Sequence, residues 1–434
     1  MLSIAGILLG ISLFVYGVYK RVNIVLASLA ACVVMALLSQ MPIYNTLTDS
    51  YMTGLSEFLH KYFLMILFSA VLGRLMSDGG GAKKIALVFE TLLKNKDGGK
   101  KKYFSVLFVA VMYFAFSYVG ISGYVLVFTV MPIAKHLFKS TDTPWRLYCF
   151  GGAQIAASNM LLGSLNQSNI YAADTCGTAT TAGGGLSVIA TVVWWAVTLV
   201  LIKCFLIGSE KGHEDFMTDG RAIMENAVNQ KDVFHEQLPS LAASLIPLVL
   251  VVGCTAVWKM AVVKALCIGC AATTILLYKH SKNNLMTSLS KGVMDCYGSA
   301  FTVAALYGFG MVVKTLPAFS MFSDGLSRLP GFMGGSVLGI VAAFIIAGSP
   351  IPIFGTQMMD SYLSAGLSPE LTHRMMTITG WSSVAPHNAG LSNSASVTKI
   401  DYGRCLKIYM TASMVPGIIV TIVCSLLIES GMIH

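Results

Sequence analysis

Long apolar runs alternate with short polar segments along most of the chain. Six runs meet or approach the roughly 20 residues that a helix needs to cross about 30 Å of hydrocarbon. They are residues 2–19, 22–40, 184–206, 238–257, 261–279 and 406–428. The first run has no basic stretch before it and no small-residue cleavage site after it, so we expect it to be a retained span. The pattern predicts an all-α polytopic membrane protein.

A polar linker, residues 207–237, divides the chain nearly in half, and the order of features repeats on its two sides. Each side has three spans, a two-legged segment with a Gly/Ser-rich tip, a span interrupted by polar residues, and a last span. Five crossings is an odd number, so the second copy must be inverted relative to the first. We therefore predict two inverted repeats, residues 1–206 and 238–434, an arrangement typical of secondary transporters.

The two-legged segments, residues 104–138 and 334–360, are too short for two complete crossings and a turn, which need about 40 residues. They predict re-entrant hairpins, the first entering from the cytoplasm and the second from outside. The interrupted spans, residues 145–182 and 368–404, predict broken helices. Because unpaired backbone groups are costly in lipid, each hairpin tip must be covered by protein or face a wet cavity. We expect the tips to meet the broken helices near the midplane.

Composition and charge add the class of protein and its orientation. Hydrophobic residues make up 55% of the 434 residues and charged residues 11%, against about 25% charged in soluble proteins. The net charge of +9 does not indicate nucleic acid, because the Lys and Arg residues lie in loops, where they orient membrane helices. A cytoplasmic linker places most of these cations inside, leaves Arg374 among the few outside, and puts both termini outside. Ten scattered cysteines without ligand spacing predict no metal site.

Polar residues at the two tips and two breaks form the candidate substrate site. They are Gly120, Ser122 and Gly123 at the first tip, Ser164, Asn166 and Asn169 at the first break, Gly348, Ser349 and Thr356 at the second tip, and Ser383, His387 and Asn388 at the second break. Interrupting a helix frees N–H groups whose partial positive charge suits a carboxylate, and amides match hydroxyl groups. For each Gly or Ser, close helix packing is the alternative role.

His387 and Asp174 are the candidate proton carriers. Histidine has a reference pKa near 6.5, and an ionisable residue inside a bilayer indicates function by default. The alternatives are a neutral His387 bonded to a helix carbonyl and an Asp174 that only caps a helix or lines a vestibule. No Lys or Arg lies in either break or either tip. A bound carboxylate would therefore lack a fixed counter-ion, and the inside-negative potential opposes its entry by about 2.3 kcal/mol per charge per 100 mV.

A co-transported cation would offset both costs, so these features predict symport of a small organic anion with a proton, or with sodium as the alternative. The chain has no G-x-x-x-x-G-K-[ST], H-E-x-x-H or G-x-S-x-G motif, and we expect neither enzymatic activity nor a cofactor. An anion channel and an intramembrane hydrolase that uses His387 with a nearby serine are less favoured alternatives.

Three segments around the tips and breaks are distinctive and read "YVGISGYVLVFTVMPIAKHLF", "NMLLGSLNQSNIYAADTCGT" and "GLSPELTHRMMTITGWSSVAPHNAGL". Together they resemble the gluconate/proton symporter family of the ion transporter superfamily. The resemblance implies a homodimeric inner-membrane carrier of sugar acids such as gluconate or of other hydroxy-carboxylates. It also implies an elevator-type mechanism, in which a transport domain slides against a scaffold that we expect to contain the first two and last spans of each repeat. Ala389, Pro350 and Pro352 depart from the family pattern where ligand is expected, which makes a different carboxylate plausible.

Overall fold

The computed structural model of the chain is helical in the part that it describes, with no strand there. That part comprises residues 2–20, 22–93, 97–120, 123–227, 238–256, 258, 260–281, 285–319, 321, 333–386 and 388–433. Five stretches within it are long and apolar enough to cross a membrane, namely Leu2–Tyr19, Ile43–Asp78, Gly184–Lys211, Leu285–Thr315 and Tyr402–Glu429. The prediction of an all-α protein with several membrane-spanning helices is therefore confirmed.

The first half of the chain contains ten helices in its described part. They are α1 (Leu2–Tyr19), α2 (Ile24–Leu38), α3 (Ile43–Asn45), α4 (Met52–Asp78), α5 (Gly81–Leu93), α6 (Gly98–Tyr118), α7 (Gly123–Ser140), α8 (Phe150–Met160), α9 (Gln167–Cys176) and α10 (Gly184–Lys211). A π-helical turn at Thr46–Tyr51 joins α3 to α4, and a 3₁₀-helix at Trp145–Cys149 leads into α8.

The linker and the second half contain ten more helices in the described residues. They are α11 (Phe216–Ala227), α12 (Leu241–Ala256), α13 (Val262–Leu276), α14 (Tyr278–Ser281), α15 (Leu285–Thr315), α16 (Met333–Ile346), α17 (Ile351–Ser364), α18 (Pro369–Thr379), α19 (Ala389–Thr398) and α20 (Tyr402–Glu429). A 3₁₀-helix at Gly380–Ser383 extends α18. Thus α10 runs a few residues into the predicted linker, and the linker carries a helix of its own.

The predicted hairpins and broken helices correspond to pairs of helices. α6 and α7 form the first hairpin, which begins earlier than predicted, and α16 and α17 form the second. α8 and α9 are separated by residues 161–166, here named the first break, and α18 and α19 by residues 384–388, the second break. The inverted relation between the two halves stays a prediction.

The helices pack in two groups. In the first group, α4 and α15 pack extensively on each other, and α1, α2, α12 and α13 surround them. In the second group, the hairpins and broken helices pack on one another and on α10 and α20. Sequence analysis expects the last span of each half in the scaffold. In the structure, α10 and α20 pack with the second group and donate hydrogen bonds to the broken helices. These run from Ser187 to Met160 O (2.7 Å), from Trp194 to Gln154 Oε1 (3.0 Å) and from Ser413 to Trp381 O (2.9 Å).

Candidate functional site

The first break is attached to the tip of the first hairpin. The N–H of Leu165 donates to Tyr118 O (2.8 Å), at the end of α6. Asn166 caps α9, because its side-chain oxygen accepts from the N–H of Ser168 (3.4 Å). The amide of the same side chain donates to Ser117 Oγ (2.6 Å). A backbone hydrogen bond from Leu165 and a side-chain hydrogen bond from Asn166 therefore hold the first break against the end of α6.

The second break has the same kind of attachment. Pro386 lacks an N–H and clashes with a preceding helical turn, so α18 cannot continue through it. Asn388 caps α19 by accepting from the N–H of Leu391 (2.8 Å). Its amide donates to Ala347 O (2.8 Å), at the tip of the second hairpin, and to Ser383 O (2.9 Å). Asn388 thus joins this break to its hairpin, as Asn166 does on the other side.

The two tips and the two breaks surround one cavity of about 170 Å³. Pockets for drug-sized ligands start at about 300 Å³, so this cavity suits a small metabolite. Seven of the twelve predicted substrate-binding residues line it, namely Gly120, Gly123, Asn166, Gly348, Ser349, Ser383 and Asn388. The cavity therefore brings together residues from both halves of the chain.

Four helices of the described part begin at this cavity. α7 begins at Gly123 and α9 at Gln167, and both residues line the cavity. The other two starts lie next to lining residues, since α17 begins two residues after Ser349 and α19 begins one residue before Gly390. Each helix start presents N–H groups that carry about half an elementary positive charge. None of the described residues that line the cavity has a charged side chain. The attraction for an anion therefore comes from the main chain.

Two buried polar atoms of lining residues have no hydrogen-bond partner among the described residues. They are Oδ1 of Asn159, in the last turn of α8, and Oγ of Ser349, at the second tip. A buried polar atom without a partner costs about 1–3 kcal/mol. A bound molecule with hydroxyl or carboxylate groups is a natural partner for both.

Sequence analysis did not select three of the polar side chains at the cavity, namely Asn159, Tyr307 and Tyr409. The hydroxyl of Tyr307 donates to Ser349 O (3.0 Å). Tyr409 lies against Gly152, where a Cβ atom would be 1.8 Å from the tyrosine oxygen, so only glycine admits this ring. Tyr307 and Tyr409 belong to the uninterrupted helices α15 and α20, which give no signal in a search for breaks.

Asn169 and Ser164, two further predicted residues, are buried but do not line the cavity. The amide of Asn169 donates to Ser164 O (2.8 Å) and Thr180 O (3.0 Å). Its oxygen accepts from His373 Nε2 (2.8 Å) and Arg374 Nη1 (2.9 Å). The protein occupies all four hydrogen-bonding positions of this side chain, which leaves none for a substrate.

Arg374 is a buried cation beside the first break. Its guanidinium donates to Ala182 O (2.6 Å), Thr180 O (2.7 Å) and Met160 O (3.2 Å). Because Met160 is the last residue of α8, the positive charge also meets the negative end of that helix dipole. Neither break contains Lys or Arg in its sequence, yet the fold brings this cation to the first break from α18. Arg374 does not line the cavity.

Thr356 and Asp174 lie at a second cavity, of about 310 Å³. Thr356 lines it, and Asp174 pairs with Lys61, which also lines it; Oδ2 and Nζ are 3.2 Å apart, and the side chains are 47% and 51% exposed. Tyr307 lines both cavities and so stands between them. The described residues contain no group of three His, Cys, Asp or Glu that could hold a metal ion. The two remaining predicted residues, Ser122 and His387, lie outside the described residues.

Interrupted helices around a small cavity, in a bundle that also contains helices long and apolar enough to span a membrane, are typical of a membrane transport protein, since the breaks open main-chain groups to a ligand inside the bundle. The family model for the GntP family permease matches residues 2–289. This match covers more than half of the chain, so the chain belongs to the GntP permease family. The family resemblance is therefore confirmed, and the chain is a multi-pass membrane transporter.

The chain is similar in sequence to one transporter and in fold to another. The uncharacterized transporter YxjC of Bacillus subtilis (strain 168) is 23% identical over 450 residues, which cover 91% of this chain and 92% of the relative. The crystal structure of the Alcanivorax borkumensis YdaH transporter, whose topology is described as unusual, matches with a TM-score of 0.51 and 12% identity. That match covers 89% of this chain and 91% of the other, and it shows a shared fold alone.

Proposed function

We propose that the chain is a secondary active transporter that carries a small organic anion in symport with a proton. The anion is a sugar acid such as gluconate or another hydroxy-carboxylate. One observation carries the proposal: four helix starts meet at a cavity whose described lining has no charged side chain. The helix starts favour a carboxylate, and the carboxamides of Asn159 and Gln167 can donate to and accept from hydroxyl groups.

The coupled cation is inferred from the charges near the cavity. The guanidinium of Arg374 already donates to three carbonyls and to Asn169, so it is not available as a counter-ion. A proton on His387, next in sequence to the lining residue Asn388, would compensate the carboxylate and the opposing membrane potential. Asp174 is less favoured because it is half exposed and paired with Lys61. Sodium, held by carbonyl and hydroxyl oxygens, is the alternative cation.

We further propose that the second helix group moves against the first like an elevator, and that the two halves are inverted repeats. In support, the described cavity lining includes only three residues from the first group, all on α15, namely Val303, Leu306 and Tyr307. A sliding motion would therefore carry almost the whole site with one group. A homodimer in the cytoplasmic membrane, with the linker inside and both termini outside, completes the proposal and rests on the loop cations and the family resemblance.

Uptake by proteoliposomes tests this function. Labelled gluconate or lactate should accumulate when an inward proton gradient is imposed, and a proton ionophore should abolish the accumulation. Protein-free liposomes are the control. Accumulation that requires Na⁺ and ignores pH would replace the proton by sodium. A carrier should also exchange labelled for unlabelled anion by saturable counterflow, and the absence of counterflow would identify a channel.

A further inference from the structure

A groove separate from the transport site lies at the linker end of α10 and α20. Its volume is about 530 Å³, and its lining residues are Cys204, Phe205 and Gly208 on α10, Arg404, Lys407 and Ile408 on α20, and Arg146 and Glu214 between them. It shares no lining residue with the central cavity. The groove lies at the end of two apolar spans, which is the depth of lipid headgroups.

The cations that line this groove are not all paired with a carboxylate. Arg146 hydrogen-bonds to Glu214, and Asp219, only 5% exposed, lies 2.6 Å from Arg404 Nη1 and 3.6 Å from Arg146 Nη1. The hydrogen bonds from Arg146 lower the pKa of the Glu214 carboxyl, so this group is ionised at neutral pH. Asp401, at the start of α20, is a further carboxylate that acts on Arg404. Lys407 is therefore the cation in the groove lining that forms no ion pair in the part of the chain that the structure describes.

The rest of the groove is apolar and open. Phe205 and Ile408 supply the apolar wall, and a Cβ atom at Gly208 would meet nothing within 4 Å. Val200 and Ile207 on α10 are exposed, so the wall continues onto a surface that faces lipid in a membrane. A soluble anion would use only the cations, whereas a lipid would use the cations and the wall together.

We propose that this groove binds an anionic phospholipid of the linker-side leaflet. The phosphodiester, with its single negative charge, lies among Lys407, Arg404 and Arg146, and an acyl chain follows Phe205 and Ile408. Basic pockets between membrane helices are known to hold anionic headgroups, and the unpaired ammonium group of Lys407 is a partner for one phosphodiester. The site joins α10, α20 and the start of the first broken helix, so a bound lipid stabilises this part of the second helix group.

The test compares lipids on the purified full-length protein by native mass spectrometry and thermal unfolding. Phosphatidylglycerol should be retained and should raise the unfolding temperature, whereas phosphatidylcholine of the same chain length, glycerol 3-phosphate and inorganic phosphate should not. Lys407→Gln should weaken phosphatidylglycerol binding roughly fivefold, the contribution of one cation near an anionic membrane surface. Lys203→Gln, which removes an exposed cation of α10 outside the groove, is the matched control and should bind normally.

Gly208→Leu provides a second variant that leaves every charge in place. It fills the open part of the groove and should also reduce retention of phosphatidylglycerol. Equal retention of phosphatidylcholine, or unchanged binding by both Lys407→Gln and Gly208→Leu, would overturn the proposal. Stabilisation by inorganic phosphate as strong as that by phosphatidylglycerol would also overturn it, by making the groove a site for soluble anions. None of these three outcomes depends on which anion the central cavity carries.

Discussion

The two breaks use the same device but receive different support. At each break an asparagine caps the next helix and donates to its own hairpin, Asn166 to Ser117 and Asn388 to Ala347. The first break also has the guanidinium of Arg374, which covers carbonyls at the end of α8 and in the segment after α9. In the described part of the chain, no cationic side chain donates to a carbonyl of residues 384–388. The first interruption is therefore held partly by a fixed charge, and the second by neutral donors, namely the amide of Asn388 and the hydroxyl of Tyr402, which donates to Pro386 O.

This difference indicates different roles for the two sides of the cavity. The first break is tied to the second half of the chain by Arg374 and His373, through Asn169, so we expect it to be the less mobile wall of the cavity. At the second break, Asn388 is both the helix cap and the side-chain link to the hairpin tip. We expect the second break and its hairpin to adjust when a substrate enters or leaves.

The largest effect is expected for Arg374→Met, which keeps much of the side-chain volume and removes the N–H donors of the guanidinium. Three carbonyl groups would lose a buried partner, at about 1–3 kcal/mol each, so the free energy of unfolding should fall by roughly 3 kcal/mol or more. The free energy of unfolding of Arg374→Lys should lie between those of the parent and of Arg374→Met, because an ammonium group cannot reproduce the planar arrangement of guanidinium donors. Thermal unfolding in detergent measures the effect, with Lys203→Met as the control at an exposed position. An Arg374→Met protein as stable as the parent would show that the first break does not need the charge.

The breaks and tips could be predicted from the sequence because the physics is local. A run of Gly, Ser, Asn and Pro inside an apolar span indicates an interrupted helix, since polar groups in lipid are costly. Which amide faces the cavity could not be predicted in this way. Asn166 and Asn169 lie three residues apart on adjoining turns, and the partners that occupy Asn169, His373 and Arg374, are some 200 residues away in the sequence.

The residues that were missed are those whose role depends on packing between distant helices. Tyr307 and Tyr409 sit on continuous spans, and only the approach of α15 and α20 to the breaks makes them part of the cavity. Sequence analysis counts Arg374 among the outer cations from the order of the spans alone, which could not show that the fold buries this side chain beside the first break. The sequence also could not show that Lys61 and Asp174 would meet, since they belong to different helix groups.

Two variants that remove the helix caps, Asn388→Ala and Asn166→Ala, test whether the two breaks differ in their importance for transport. Loss of a helix cap costs about 0.5–2 kcal/mol, so both proteins should fold. Transport should fall further for Asn388→Ala, because its amide is the side-chain link to Ala347 O, whereas Leu165 still bonds Tyr118 O after Asn166 is removed. We expect about a tenfold loss of uptake for Asn388→Ala, which corresponds to about 1.4 kcal/mol, and a smaller loss for Asn166→Ala.

Asn388→Asp separates the two tasks of this side chain. Aspartate caps a helix as well as asparagine does, but it cannot donate to Ala347 O and it adds a negative charge beside an anion site. Relative to the parent protein, Asn388→Asp should therefore lose more free energy of substrate binding than free energy of unfolding. Equal uptake by Asn388→Ala and Asn166→Ala would contradict the idea that the second break is the more adaptable side.

The smallest effect is expected at the far end of α9, where Asp174 pairs with Lys61 across the two helix groups. Exposed ion pairs contribute about 0–1 kcal/mol, so Asp174→Asn should unfold close to the parent temperature and keep proton-driven uptake within about twofold. Glu57→Gln, which changes a carboxylate that lines the second cavity, is the matched control. His387→Gln should instead remove the dependence on the proton gradient while leaving counterflow intact. Loss of proton dependence in Asp174→Asn, but not in His387→Gln, would move the coupling site from the second break to the end of the first broken helix.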